Sequence, residues 1–200
     1  MAHLVFASNN FQCHLFCAQC DFILSNGDRC KRRVCLGSPT CWQHNIKRYG
    51  VKTKQSTIVN AGKGLFATEM IRKGDWICPY KGEIISDDCL ISRYDSLDLD
   101  GERTAPYTVA DGDRFIVDAA CKRGIGAFAN TNVNRSGKSK SVNQHNARLD
   151  FNEEEGEIWL YAIKTINRND EIFLFYGDDY IIEEDAYTTS RKNGPDTRPC

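Results

Sequence analysis

The sequence reads as a mostly β protein with few helices: one good-sized domain with a small Cys/His-rich appendage at its N-terminus. Three observations predict this. Apolar and β-branched residues come in short runs bounded by Gly, Pro, Asn and Asp, the pattern of strands and turns. Only one stretch sustains a helical period. Six of the ten cysteines fall between residues 13 and 41, ahead of the strand-rich part.

Taken in order, residues 1–49 form a module with little strand or helix periodicity, carrying Cys13, Cys17, Cys20, Cys30, Cys35, Cys41 and His44. Gly27, Gly37 and Pro39 mark its turns. So small a segment buries little core by itself and needs a staple. The domain proper spans 50–182. It opens with short strands at Thr57-Ile58-Val59 and Leu65-Phe66-Ala67, then Trp76 to Tyr80 and Gly82 to Ile85. Ser86 to Leu97 is the helix. Ser86 caps it, Asp87 and Asp88 suit its first turn, and Leu90, Ile91, Tyr94 and Leu97 share a face. Further strands follow at 106–110, 114–118, 147–151, 157–164 and 171–176. The polar stretch from Asn132 to Asn146 is a surface insertion, and 183–200 is a loose tail.

Composition narrows the function classes. An apolar fraction of 41% suits a globular chain and is too high for a disordered one. A net charge of −1 argues against general adhesion to nucleic acid. No apolar run reaches the ~18 residues of a membrane span. The first ten residues lack a basic stretch and an apolar core, so no signal peptide and an intracellular location are expected. In a reducing compartment, clustered cysteines point to metal rather than disulfides.

Four segments, in this order, carry a resemblance: Ala61-Gly62-Lys63-Gly64-Leu65-Phe66-Ala67, Tyr80-Lys81-Gly82-Glu83-Ile84, Gly124-Ile125-Gly126-Ala127-Phe128-Ala129-Asn130, and Asp170-Glu171-Ile172-Phe173-Leu174-Phe175-Tyr176-Gly177. Together they resemble the SET domain of protein lysine methyltransferases. The resemblance implies a β-clip fold of small curved sheets, with the C-terminal strand threaded in a pseudoknot. It also implies methyl transfer from S-adenosylmethionine to a lysine in an extended protein segment, with a histone tail as the expected partner, in the nucleus or, for a viral protein, the host nucleus or cytoplasm.

That chemistry sets requirements the residues can be held against. The attacking amine must be neutral, and neutralising a lysine at pH 7 costs about 4.6 kcal/mol. An apolar channel lowers this cost, and alignment in a dry site does the rest. The site needs aromatic walls and a placed hydroxyl, not a strong base. By the resemblance, Tyr176 supplies the hydroxyl and Tyr107 a channel wall. Gly62, Lys63 and Gly64 present backbone to the cofactor, and glycine permits close approach. Asn130 matches the first asparagine of the family's Asn-His-Ser-Cys signature, and Asn146 a later one. The family's His-Ser positions are Thr131 and Asn132 here, so Thr131 stands where a cofactor contact is expected. This departure motivates an alternative, a catalytically inactive SET-like interaction module. Leu174, two residues before Tyr176, stands where many relatives carry Phe or Tyr.

Cys41-x-x-His44 with upstream cysteines has zinc-ligand spacing, and Cys20, Cys30, Cys35, Cys41 and His44 are five candidates for four positions. The string from Gly27 to His44 resembles small Cys/His modules of large DNA virus proteins. That resemblance favours Cys20, Cys30, Cys41 and His44, with Cys35 the rival of Cys20. The usual post-SET Cys-x-Cys is missing, and the helix-like Asp179 to Asp185 and the tail are the material available to close the channel. The basic run Lys31-Arg32-Arg33 motivates a third reading, a nucleic-acid adaptor.

Overall fold

The computed structural model describes residues 2–7, 12–16, 18–34, 39–59, 61–94, 107–110, 115–131 and 145–175. The N-terminal part contains β1 (Ala2–Ala7), β2 (Gln12–Phe16), β3 (Ala18–Gln19), β4 (Arg33–Val34) and α1 (Trp42–Tyr49). There follow β5 (Val51–Gln55), β6 (Lys63–Ala67), β7 (Trp76–Pro79), β8 (Glu83–Ile85), α2 (Asp87–Tyr94), β9 (Thr108–Ala110) and β10 (Ile116–Asp118). A 3-10 turn at Ile125–Phe128 leads into β11 (Asn130–Thr131), β12 (Ala147–Asn152), β13 (Glu157–Ala162) and β14 (Glu171–Leu174). The described chain is thus mostly β with two α-helices. None of its helices is long and apolar enough to cross a membrane.

The elements sort into two compact units. One draws on residues 1–41 and 80–127, the other on 42–79 and 128–199. In the first, β1 pairs antiparallel with β2 and β3 with β4. A separate antiparallel sheet has the order β8-β10-β9. Its central strand β10 is wholly buried, including the carboxylate of Asp118. Burying a carboxylate is costly unless it is paired and hydrogen-bonded. Asp118 accepts from Arg93 Nη1 at 2.8 Å, from Tyr94 Oη at 3.0 Å and from the Ala120 amide at 2.9 Å. Arg93 also reaches Glu83 on β8 at 2.8 Å, which ties α2 to two strands. Burial, then the Asp118 charge, raises the Tyr94 phenol and keeps it a donor.

The second unit is built on the strand order β5-β6-β14-β12-β13-β7. β14 lies between β6 and β12. It runs antiparallel to β6 and parallel to β12 and β11. Ile172 and Leu174 on one face of β14 are fully buried, as an inner strand requires. β13 alternates instead. Ile158, Leu160 and Ala162 are buried, while Trp159 and Tyr161 are half-buried on the other face.

Several expectations need correction. Thr57 to Val59 is a turn, not a strand; the strand lies earlier, at Val51–Gln55. The Ser56 and Thr57 hydroxyls and the Thr57 amide bond a carboxylate from β14, which holds the chain out of the ladder. The module up to residue 49, which shows little strand or helix periodicity in its sequence, contains α1 and two strand pairs. α1 is only eight residues long and buries polar His44 and Asn45, so it leaves no apolar period to detect. α2 is described from Asp87 to Tyr94, with the Cys89 amide donating to Ser86 Oγ at 3.3 Å. On it Tyr94 is buried, but Ile91 is 38% exposed rather than facing a core. Leu97, most of the polar insertion, Cys17, Cys35, Tyr176, 179–185 and the tail lie outside the described residues.

Candidate functional site

The glycine turn and Asn130 meet around one carboxylate. Glu171 opens β14 and is 5% exposed. Its Oε1 accepts from Ser56 Oγ at 2.7 Å and Asn130 Nδ2 at 3.3 Å. Its Oε2 accepts from the Thr57 amide at 2.7 Å and Thr57 Oγ1 at 2.5 Å. Asn130 Nδ2 also donates to the Lys63 carbonyl at 3.2 Å. Four donors on one buried carboxylate form a satisfied, charge-assisted network. It locks Asn130 against β6 and leaves its Oδ1 without a partner among the described residues. Gly64 is where this network needs a glycine: a Cβ there would lie 2.0 Å from Glu171 Oε1. Gly62 differs, with φ +72° and nothing within 4 Å of a built Cβ. Its backbone is open to approach by a ligand. Lys63 is exposed at the start of β6.

Asn146 fastens the other side of β14. Its Nδ2 donates to the Glu171 carbonyl at 2.8 Å, and its Oδ1 accepts from the Phe173 amide at 2.9 Å. Register pairs Asn130 with Phe173 and both Thr131 and Ala147 with Leu174. Gly64, Asn130, Thr131 and Asn146 therefore lie against one strand, β14, with the Lys63 carbonyl bonded to Asn130 beside it and Gly62 next in the chain. Thr131 is buried and its Oγ1 lacks a hydrogen-bond partner. His145 is fully buried, with neither ring nitrogen bonded, and its ring lies 5.3 Å from that of Phe175. Burial, with the Lys164 charge adding to it, holds its imidazole below the usual range.

Tyr107 belongs to the first unit. Its carbonyl accepts from Tyr80 Oη at 3.0 Å and the Ala119 amide at 2.9 Å, so its backbone is fixed. The Arg123 guanidinium lies over its ring at 3.8 Å from the centroid, with Nη2 buried and without a hydrogen-bond partner. Glu171, Ser56, Thr57 and Arg123 went unsuspected in the sequence. The one available signal was Glu171, an acid directly abutting the apolar run of β14.

Cys20, Cys30, Cys41 and His44 are all buried, and their ligand atoms lie within 4.8 Å of one another. Two thiolates ~2.3 Å from a tetrahedral zinc would stand about 3.8 Å apart, so the set is of the right size and composition for zinc. The Cys41 amide donates to Cys20 Sγ at 3.2 Å, a bond that favours a thiolate there. His44 sits on the first turn of α1, three residues after Cys41. Cys78 differs. It is fully buried, and burial pushes its thiol up, so it packs as an apolar group.

The strand order around β14 and the convergence of its neighbours define a SET-type β-clip, and the SET-domain family model matches residues 62–177. The chain belongs to the SET-domain family. It is 27% identical over 199 residues to the histone-lysine N-methyltransferase EZH2 of Chaetomium thermophilum, covering 90% of this chain and 12% of that protein. It therefore spans only a small part of that relative's length. An active polycomb repressive complex 2 in the stimulated state is similar at 26% identity and a TM-score of 0.51, over 66% of this chain and 16% of that one. The Chaetomium thermophilum polycomb repressive complex 2 gives the same values. The same complex in an autoinhibited conformation bound to S-adenosylmethionine shares the fold, at 24% identity and a TM-score of 0.50, over 72% of this chain and 17% of that one.

Proposed function

We propose that this chain is an S-adenosylmethionine-dependent protein lysine N-methyltransferase acting on a histone tail. The observation that carries the reading is the gathering of Lys63, Gly64, Asn130 and Asn146 around β14 within the matched family segment. The likeness to a histone-lysine N-methyltransferase supports the substrate class.

S-adenosylmethionine, when bound, supplies a methyl group on a positively charged sulfur. Each remaining task falls to residues of this chain. The open backbone at Gly62 admits the amino-acid end of the cofactor, and Asn130 Oδ1 is the acceptor for its ammonium group. Glu171 holds that acceptor in place. Thr131, at the family's histidine position, contributes through its backbone. Tyr107 is a wall of the lysine channel and Tyr176 orients the amine. The Arg123 guanidinium on the Tyr107 ring disfavours a second cation nearby and so favours the neutral, reactive amine.

Zinc at Cys20, Cys30, Cys41 and His44 staples the segment up to residue 49 as a module ahead of the catalytic domain at 50–182, with 183–200 as a tail. Cys35 is the reserve ligand. The module's likeness to Cys/His modules of large DNA virus proteins supports a viral source and action in the host nucleus or cytoplasm. Its basic run, Lys31-Arg32-Arg33, is the surface for any nucleic-acid contact. A binding-only SET module remains the second reading, favoured by the loss of the His-Ser pair. Transfer of labelled methyl groups to core histones, with site mapping, separates the two. Methylated lysine supports catalysis, whereas S-adenosylmethionine binding without transfer supports the binding module.

A further inference from the structure

The second unit carries an open cleft of about 580 Å³ that takes no part in the methyl-transfer reading. Three aromatic residues line it: Tyr49, Trp76 and Trp159. Tyr49 and Trp159 meet edge to face with centroids 6.0 Å apart. Trp76 packs edge-on against Tyr161 at 5.0 Å and is still 40% exposed. Met70, 56% exposed, adds a flexible apolar surface. Three carboxylates, Glu69, Asp75 and Glu155, also line the cleft, and none forms an ion pair among the described residues. Among the described residues that line the cleft, one cation stands against them: Arg48, whose guanidinium lies 5.3 Å from the Tyr49 centroid.

We propose that this cleft binds a lysine-type cation, the ammonium of a lysine or methylated lysine side chain on a basic protein segment. Aromatic faces attract cations through their quadrupole, most of all when water is displaced. Three carboxylates without an ion pair among the described residues, of which Asp75 accepts from the Arg72 amide, stand against one lining guanidinium; they give the complementary field and disfavour a phosphate or an acidic peptide. Met70 and Trp76 offer apolar surface to the alkyl stem. Arg48 already occupies the Tyr49 face, so Trp76 and Trp159 are the faces left for the ligand cation. The site goes beyond the proposed function: it uses none of the residues assigned to cofactor, channel or metal and requires no turnover.

The full chain carrying Trp42→Phe leaves Trp76 and Trp159 as its only tryptophans, both in the cleft. Its fluorescence is titrated with N-acetyl-lysine methylamide, with the Nζ-trimethyl form, and with the neutral norleucine analogue. Both cations are expected to give a saturable change, with the norleucine analogue at least tenfold weaker. Adding Glu69→Gln and Glu155→Gln should weaken cation binding several-fold and flatten its salt dependence. Trp76→Ala should weaken it at least tenfold, read through Trp159. Should Trp76→Ala fail to fold, the double glutamine variant, altered only at exposed acids, decides alone. Equal binding of norleucine, binding indifferent to these substitutions, or no saturable response overturns the proposal.

Discussion

Replacing Glu171 by Gln tests the network that joins the glycine turn to Asn130. The side chain keeps its shape but loses its charge and one acceptor. The Thr57 amide, 2.7 Å from Oε2, can only donate, so the glutamine oxygen must take the Oε2 place. The NH2 group then occupies the Oε1 place, facing Ser56 Oγ and Asn130 Nδ2. The serine hydroxyl can turn to accept, but Asn130 Nδ2 only donates, and flipping that amide would set its oxygen against the Lys63 carbonyl. Bonds to a charged acceptor contribute ~1.5–3 kcal/mol each and neutral ones about 1, so the exchange should cost about 2–3 kcal/mol of stability. Asn130 is pushed off its position, and S-adenosylmethionine affinity should fall about tenfold, or 1.4 kcal/mol. Urea denaturation followed by circular dichroism reads the first quantity and calorimetric titration the second. A Glu171→Gln protein within ~0.5 kcal/mol of wild type, with unchanged cofactor affinity, would refute the reasoning. Lost stability with intact affinity would make the network structural only.

Three further outcomes are expected. Protein made in zinc-replete medium should contain about one zinc per chain, and chelation should expose residues up to 49 to protease while the rest resists; a metal-free, protease-resistant N-terminus contradicts this. Asp118→Ala should destabilise by roughly 2–5 kcal/mol in urea titration, because it removes one of the two carboxylates that Arg93 pairs with and takes a buried acceptor from Tyr94 Oη and the Ala120 amide; a loss under ~1 kcal/mol contradicts it. The folded His145 imidazole is held below the unfolded value of ~6.5, so its contribution is intact above that pH. It is lost as pH falls from ~6.5 towards the folded pKa, since the unfolded chain takes up the proton first. Wild type should therefore lose up to ~1.4 kcal/mol per pH unit more than His145→Phe across that window, and parallel profiles contradict the assignment.

What could be read in the sequence was local. The Gly62-Lys63-Gly64 turn, the apolar run of β14 and the two asparagines each announce themselves within a few residues. So does Cys41-x-x-His44. The residues that organise the site did not, because their partners lie far along the chain. Glu171 meets Ser56 and Thr57 across separations of 115 and 114 residues, and an acid at a strand end ordinarily faces water. Asp118 reads as the polar end of a short strand until Arg93 and Tyr94, on a helix 25 and 24 residues earlier, are seen to bond it. Thr57 and Val59 have β propensity, yet the tertiary bonds of Ser56 and Thr57 override it and make a turn. Of the five candidate zinc ligands, spacing alone left the choice open. Three-dimensional proximity groups Cys20, Cys30, Cys41 and His44, while Cys35 lies outside the described residues.

The catalytic reading rests most heavily on Tyr176, which follows β14 by two residues in the sequence. Tyr176→Phe keeps the ring and removes the hydroxyl. Single-turnover transfer of labelled methyl groups to core histones, run beside an S-adenosylmethionine titration, measures the consequence. The account predicts that wild type methylates lysine and that the variant is slower by roughly a hundredfold or more, about 2.7 kcal/mol, with little change in cofactor affinity. Comparable rates for the two proteins, or no transfer by wild type that binds the cofactor, would contradict it.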